Sequence, residues 1–251
     1  ENELIIVAAR PAMGKTAFAL NLAVNAASKS DKAVALFNLE MSAEQLAMRM
    51  IAAAGGIEMN KVRTGRLEHN DWKKVNEAMS ELSETNLYIE DNAGMTISEI
   101  RAKCRRLATS DKGLGLIVID YLQLISGSSK NEGNRVQEVS EISRSLKTMA
   151  MELKVPVVAL AQLSRSVELR ENKRPIMSDL RESGSIEQDA DIVMFLYRDD
   201  YYNKAAAEQT DTSITELIIG KHRNGGTGTI ELLFERSMSN FRNYIKKTEE
   251  N

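Results

Sequence analysis

Ile5-Ile6-Val7-Ala8 runs into Ala9-Arg10-Pro11-Ala12-Met13-Gly14-Lys15-Thr16, and Lys15 to Ala27 continues with strong helix formers at helical spacing. No other stretch constrains the fold as tightly. A small residue, four variable ones and Gly-Lys-Thr between an apolar strand and a helix form a phosphate cradle, because loop N–H groups and the positive helix end converge there. Ala9 stands where that pattern has its first glycine, a departure that asks for a backbone angle alanine can adopt. A chance Gly-Lys-Thr at a helix start would lack the strand before it. Arg10, Ala12, Met13, Gly14, Lys15, Thr16 and Ala17 are therefore expected to hold a nucleotide. Lys15 would reach the β- and γ-phosphates and the Thr16 hydroxyl would ligate Mg²⁺.

Such a cradle sits at the C-terminal edge of a parallel sheet, and the rest of the chain supplies one. Apolar runs at 33–39, 87–90, 116–120, 155–161 and 192–197 read as buried strands. Helical patterns at 43–54, 71–82, 98–108 and 135–153 lie between them. Strands apolar throughout that alternate with helices predict a mostly parallel twisted sheet covered on both faces. After Tyr197 the pattern changes: 198–211 is polar, and 214–221 and 228–234 flank Asn224-Gly225-Gly226, the chemistry of an antiparallel β-hairpin. Segments 126–134, 164–174 and 178–185 read as loops. The expected fold class is α/β, as one domain over residues 1–251.

Composition narrows the setting. One cysteine, Cys104, excludes a disulfide framework, and two isolated histidines without a second cysteine exclude an ordinary zinc site. No apolar run approaches the roughly 18 residues that span a bilayer, and Glu1-Asn2-Glu3-Leu4 lacks a basic segment leading into an apolar one. A soluble, cytoplasmic protein without a membrane partner is expected. The formal net charge of −3 gives no global case for nucleic acid, so any such site must be local.

Hydrolysis needs more than a cradle. Leu116-Ile117-Val118-Ile119-Asp120 places an acid at a strand end, the arrangement that holds the shell of Mg²⁺; a strand-capping Asp is the plainer reading. Glu40 closes the strand at 33–39 at the same sheet edge and can orient and deprotonate water, or can serve as the acidic first-turn residue of the next helix beside a Ser42 cap. Tyr121 rather than a second acid follows Asp120, which favours a RecA-like arrangement. Gln162 ends another buried strand, either sensing the γ-phosphate or satisfying loop backbone. Arg165, Arg170, Lys173, Arg174, Arg181 and Arg198 lie among acids, as a solvated face would. Within them Arg181, with Ser183, Gly184 and Ser185, offers a guanidinium and backbone N–H groups to a phosphate chain. Aromatic residues are only 5% and do not interleave with these charges, so base stacking is not expected. Lys221 and Arg223 fall at the hairpin tip, as an exposed basic turn or as an arginine finger reaching a neighbouring subunit's nucleotide.

With these residues assembled, the chain closely resembles the C-terminal RecA-like ATPase domain of bacterial and phage DnaB-family replicative DNA helicases. "ARPAMGKTAFALN", "NLEMSAEQLAMRM", "GLIVIDYLQLI", "VPVVALAQLSRSVE", "KRPIMSDLRESGSIEQDADIVMFLYRDDYY" and "KHRNGG" follow one another in that family's order. The resemblance implies a homohexameric ring that hydrolyses ATP at subunit interfaces and translocates on single-stranded DNA to unwind the duplex. It implies that Lys15 and Thr16 bind phosphate and Mg²⁺, that Glu40 is the catalytic base and Asp120 the Walker B acid, and that Arg49 is a phosphate-side residue acting in cis. By the same resemblance Gln162 is the sensor, Lys221 and Arg223 are the trans-acting pair, and Arg181, Glu182, Ser183 and Gly184 form the DNA-contacting loop. A collar domain, a linker helix, primase and a helicase loader are implied for the full-length protein. RecA- or RadA-type recombination ATPases and ring-forming regulatory ATPases share such a core, and are set aside on the ordered motifs.

Overall fold

Apolar residues at alternate positions of the same strand face opposite layers of helix, and this arrangement organises the molecule. The computed structural model describes residues 2–127, 134–180, 184–203 and 210–245. Six parallel strands are β1 (Leu4–Ala9), β2 (Ala33–Asn38), β3 (Leu87–Glu90), β4 (Leu114–Asp120), β5 (Val157–Gln162) and β6 (Ile192–Tyr197). They are followed by antiparallel β7 (Thr212–His222), β8 (Gly228–Glu235) and β9 (Asn240–Asn243), in the sheet order β3-β2-β4-β5-β1-β6-β7-β8-β9.

The helices are α1 (Lys15–Ser28), α2 (Ala43–Gly55), α3 (Met59–Thr64), α4 (His69–Ser83), α5 (Ile97–Ala108), α6 (Arg135–Leu153), α7 (Gly184–Asp189) and α8 (Asp199–Tyr202). Leu4, Ile6 and Ala8 of β1 pack with Ile100 of α5 and Ile142 and Leu146 of α6 on one face. Val7 and Ala9 pack with Leu20 and Ala23 of α1 and Leu46 of α2 on the other. Each fully buried Leu or Ile in these layers contributes ~1.5–3 kcal/mol. Local signals set the helix starts. Ser42 with Gln45 and Thr96 with Glu99 form reciprocal capping boxes at the N-termini of α2 and α5.

The sheet is mostly parallel and ends in the antiparallel β7–β8 hairpin, as the pattern predicts, and β9 extends that hairpin into a three-stranded meander. The third strand, Asn-Phe-Arg-Asn, carries no apolar alternation to announce it. Its formation rests on pairing, with Phe241 opposite Phe234 and their rings stacked at 4.5 Å. Short α3, α7 and α8 also lie in stretches without a readable period, and the expected loop 178–185 ends in helix, since Gly184 opens α7. Among the described residues no helix is long and apolar enough to cross a membrane.

Candidate nucleotide-binding site

The register of the parallel strands brings four chain segments to one edge. Asn38 pairs with Asp120 across β2 and β4, and Ala9 pairs with Gln162 across β1 and β5. The loop after β1 then enters α1 beside them. Around it lies a cleft of about 330 Å³ whose lining includes Lys15, Thr16, Glu40, Arg49 and Gln162.

Two residues of the loop take left-handed backbone, Ala12 with φ 63° and Gly14 with φ 97°. Ala9, where the motif has glycine, lies in ordinary extended strand, so alanine costs nothing there. Gly14 is required twice over. Its φ is one that side chains rarely adopt, and a Cβ would stand 3.1 Å from the Phe241 ring. Met13 points the other way: its side chain is buried in the core and does not line the cleft.

Asp120 is 1% exposed and joins the acid strand to the cradle. Its Oδ2 accepts the Thr16 hydroxyl at 2.6 Å and the Asn38 amide at 3.2 Å. Its Oδ1 is buried without a hydrogen-bond partner. Burial pushes the Asp120 carboxyl above the usual carboxylate range, and the nearby Glu40 charge adds to this, against the Thr16 hydrogen bond and the Lys15 charge. An orphaned buried carboxylate oxygen beside a hydroxyl fits a hydrated divalent cation.

Asn38 also sets Glu40. Its Oδ1 accepts the backbone N–H groups of Glu40 and Met41 at 3.1 and 2.7 Å, a turn that holds the exposed Glu40 at the mouth of the cleft. The Lys15 ammonium lies 5.0 Å from the centre of the Tyr121 ring. Burial lowers its pKa, the charges of Asp120 and Glu40 raise it, and Arg10 lowers it again. The Gln162 backbone N–H donates to Gln123 Oε1 at 3.3 Å, leaving its side chain on the cleft wall.

Arg10 lines the wall too, but its guanidinium is committed elsewhere, to Glu168 at 2.9 Å and to the Leu163 carbonyl at 2.8 Å. Arg198, read from sequence as part of a solvated charge run, is 5% exposed: it pairs with Asp200 at 2.9 Å, reaches the Ala12 carbonyl at 3.4 Å and lies over the Phe234 ring. Arg170 and Arg174 are likewise paired, with Asp179 and Glu216. Phe234 and Ser239, from the meander, complete the cleft wall. Two phenylalanines flanking a turn were the only sequence signal for that wall.

Lys221 and Arg223 are not in this cleft. They lie at the opposite edge of the sheet, because β7 runs antiparallel and its end pairs with the start of β6, His222 opposite Ile192. Nor do they form a freely exposed basic turn. Lys221 Nζ donates to the carbonyls of Glu187 and Ala190 at 2.5 and 2.7 Å, and the Arg223 guanidinium donates to the Gln188 carbonyl. Of the expected DNA loop, Arg181, Glu182 and Ser183 lie outside the described residues. Gly184 is the exposed first residue of α7.

Comparison with known proteins places this geometry. The family model described as DnaB-like helicase C terminal domain matches residues 1–243. Replicative DNA helicase DnaC of Bacillus subtilis is 59% identical over 246 residues, which is 98% of this chain and 53% of that protein. Replicative DNA helicase DnaB of Geobacillus stearothermophilus is 59% identical over 249 residues, which is 99% of this chain and 54% of that protein. A solved structure titled as a DnaB-like replicative helicase and its interactions with primase superposes with a TM-score of 0.91 at 45% identity, covering 97% of this chain and 58% of that one. The chain thus spans about half the length of the curated relatives it matches. Its fold is the RecA-like fold of these helicase domains, and the chain belongs to the DnaB-like helicase C-terminal domain family.

Proposed function

We propose that this chain is the motor domain of a replicative DNA helicase, which hydrolyses ATP at the interfaces of a homohexameric ring and moves along single-stranded DNA to unwind the duplex. The observation that carries the reading is the division of the machinery between two sheet edges. Arg223 is level with the start of β1, roughly 16 Å along the strand from the phosphate loop, and Lys221, level with Ile6, is roughly 10 Å from it with its ammonium turned to the Glu187 and Ala190 carbonyls, so neither cation reaches its own cleft. That separation supports reading them as groups that serve a neighbour's cleft.

In that reading the backbone of Arg10 to Ala17 and the Lys15 ammonium hold the ATP phosphates. Thr16 and Asp120 hold the shell of Mg²⁺, which when bound neutralises the charge of the phosphate chain. Glu40 accepts the proton of the attacking water, Gln162 positions that water, and Arg49 lies on the phosphate side in cis. Lys221 and Arg223 of the adjacent subunit meet the charge that develops on transfer, an effect of ~10³–10⁵ in rate where such fingers operate. Arg181, Glu182, Ser183 and Gly184 contact the DNA backbone. A collar domain, a linker helix, primase and a loader belong to the longer protein, and a cytoplasmic location goes with the function.

The test is ATP turnover per subunit against concentration of the full-length protein, with and without single-stranded DNA. A rate that climbs with assembly and climbs again with DNA supports shared sites in a DNA-threaded ring. A rate independent of DNA at every concentration contradicts the helicase reading and favours a regulatory ring ATPase.

A further inference from the structure

Asp191 is 5% exposed, lies between α7 and β6, and has no part in the cleft. It is nevertheless joined to Arg223 twice. Its carbonyl accepts the Arg223 backbone N–H at 2.9 Å, and its Oδ1 lies 3.6 Å from the Arg223 guanidinium. The carboxylate itself is immobilised: Oδ2 accepts the Leu4 N–H at 2.7 Å and the Lys147 ammonium at 2.6 Å. Lys147 belongs to α6 and Leu4 to the buried start of β1, so the anchor reaches into both the central strand and its covering helix.

A carboxylate held by two donors from rigid elements fixes the third group that approaches it, since neither of its oxygens is free to follow a moving partner. We infer that Asp191 is a positioning residue for the Arg223 finger, setting the direction in which the β7–β8 turn presents its cation to the neighbouring subunit. The carbonyls of Glu187, Gln188 and Ala190, in α7 and just after it, that hold Lys221 and Arg223 belong to the same device. They retain the two cations beside Asp191, so the pair leaves the subunit as a unit from a defined point. This assignment rests on the trans-acting reading of Arg223. Its consequence is specific: Asp191 matters for the site of the neighbour and not for the site in its own chain.

Two differently tagged forms of the full-length protein, co-expressed and purified as assemblies carrying both tags, test it. One form is Arg223→Ala, with an intact cleft and no finger; the other is Glu40→Ala, with a finger and no base. Hydrolysis in the mixed assembly arises only where the second form serves the first. Asp191→Asn placed on the Glu40→Ala form is expected to lower that rate about tenfold or more with KM for ATP unchanged, as misplacement of a catalytic group by a fraction of an ångström does. The same substitution on the Arg223→Ala form is expected to leave the rate within twofold. Equal losses on both forms, or no loss on the finger-bearing one, overturn the positioning role. A parent mixture without hydrolysis overturns the trans reading itself, and this inference with it. Because both arms carry the same buried substitution, a general loss of folding appears as equal losses rather than as support.

Discussion

The Thr16 hydroxyl donates to Asp120 Oδ2 at 2.6 Å, across 104 positions of sequence, and so ties the first turn of α1 to the end of β4. Removing that hydroxyl breaks the link at a buried acceptor. Thr16→Ala is expected to lower ATP turnover at least 100-fold, while Thr16→Ser, which keeps the hydroxyl, retains turnover within about tenfold. Steady-state hydrolysis at saturating Mg²⁺ distinguishes the two, and equal activity in both variants would remove Thr16 from the site.

Asp120 gives the site a dependence on pH whose sign is fixed. Its pKa is raised, first by burial, so it takes up a proton at higher pH than an ordinary carboxylate. Protonation competes with a cation, and apparent Mg²⁺ affinity is expected to fall on acidification from a midpoint above the usual carboxylate range. Titrating Mg²⁺ against hydrolysis rate at a series of pH values reads the midpoint. A midpoint at or below the ordinary value refutes the argument.

Lys15 is half-buried, and burial is the largest influence lowering its pKa. A desolvated ammonium gains most from a phosphate partner. Lys15→Ala is expected to abolish hydrolysis and to weaken ATP binding at least tenfold by fluorescence titration. Normal turnover in that variant would sink the phosphate-loop assignment.

Gly14 and Phe241 make a prediction that joins the two ends of the fold. Phe241 also packs edge-on against Phe18 at 5.6 Å, and its N–H donates to Asn21 Oδ1 at 2.6 Å, so β9 is pinned to α1. Phe241→Ala is expected to cost about 2 kcal/mol and to weaken nucleotide binding through a loosened loop. Gly14→Ala should cost about 1–2 kcal/mol from its positive φ alone. Urea unfolding measures both. Combining Gly14→Ala with Phe241→Ala relieves only the steric part, so stability recovered to the level of Phe241→Ala alone would show the backbone strain to be absent.

Cys104 is fully buried on α5, and burial pushes its thiol up to about 12 from about 9. The folded chain therefore holds the proton more tightly than the unfolded one. Stability from this group is present below about 9 and is lost as pH rises towards about 12. Alkylation by iodoacetamide at pH 8 should be at least 100-fold slower in the folded protein than in urea. Comparable rates in the two states would contradict the burial.

The parallel core was legible because its strands are mostly apolar runs separated by helical patterns, and two of them, β4 and β5, end in polar residues at the cleft, Asp120 and Gln162. Glu40, two positions past its strand, was legible for the same reason. What escaped was set by partners distant in sequence. β9 exists because Phe241 meets Phe234 and Phe18, and nothing in Asn-Phe-Arg-Asn announces a strand. Arg198 looked like part of a solvated charge run, yet Asp200, Phe234 and the Ala12 carbonyl bury it. Asn38 gave no signal of its own, although it both bonds Asp120 and turns the backbone that carries Glu40. The placement of Lys221 and Arg223 at a hairpin end was readable, but their capture by carbonyls in and just after α7 was not, since α7 is too short to show a helical period.

The separation of cleft and cations at opposite sheet edges also governs symmetry. On the trans reading, a head-to-tail contact that sets the cation edge of one chain against the cleft edge of the next joins unlike surfaces. Repeated, such a contact either closes on itself or leaves two ends. An open string of n chains always carries one cleft without cations and one cation pair without a cleft, so its turnover per chain is the fraction (n − 1)/n of that in a closed assembly. Closure is thus worth one whole site, and the fewer the subunits, the larger that share becomes.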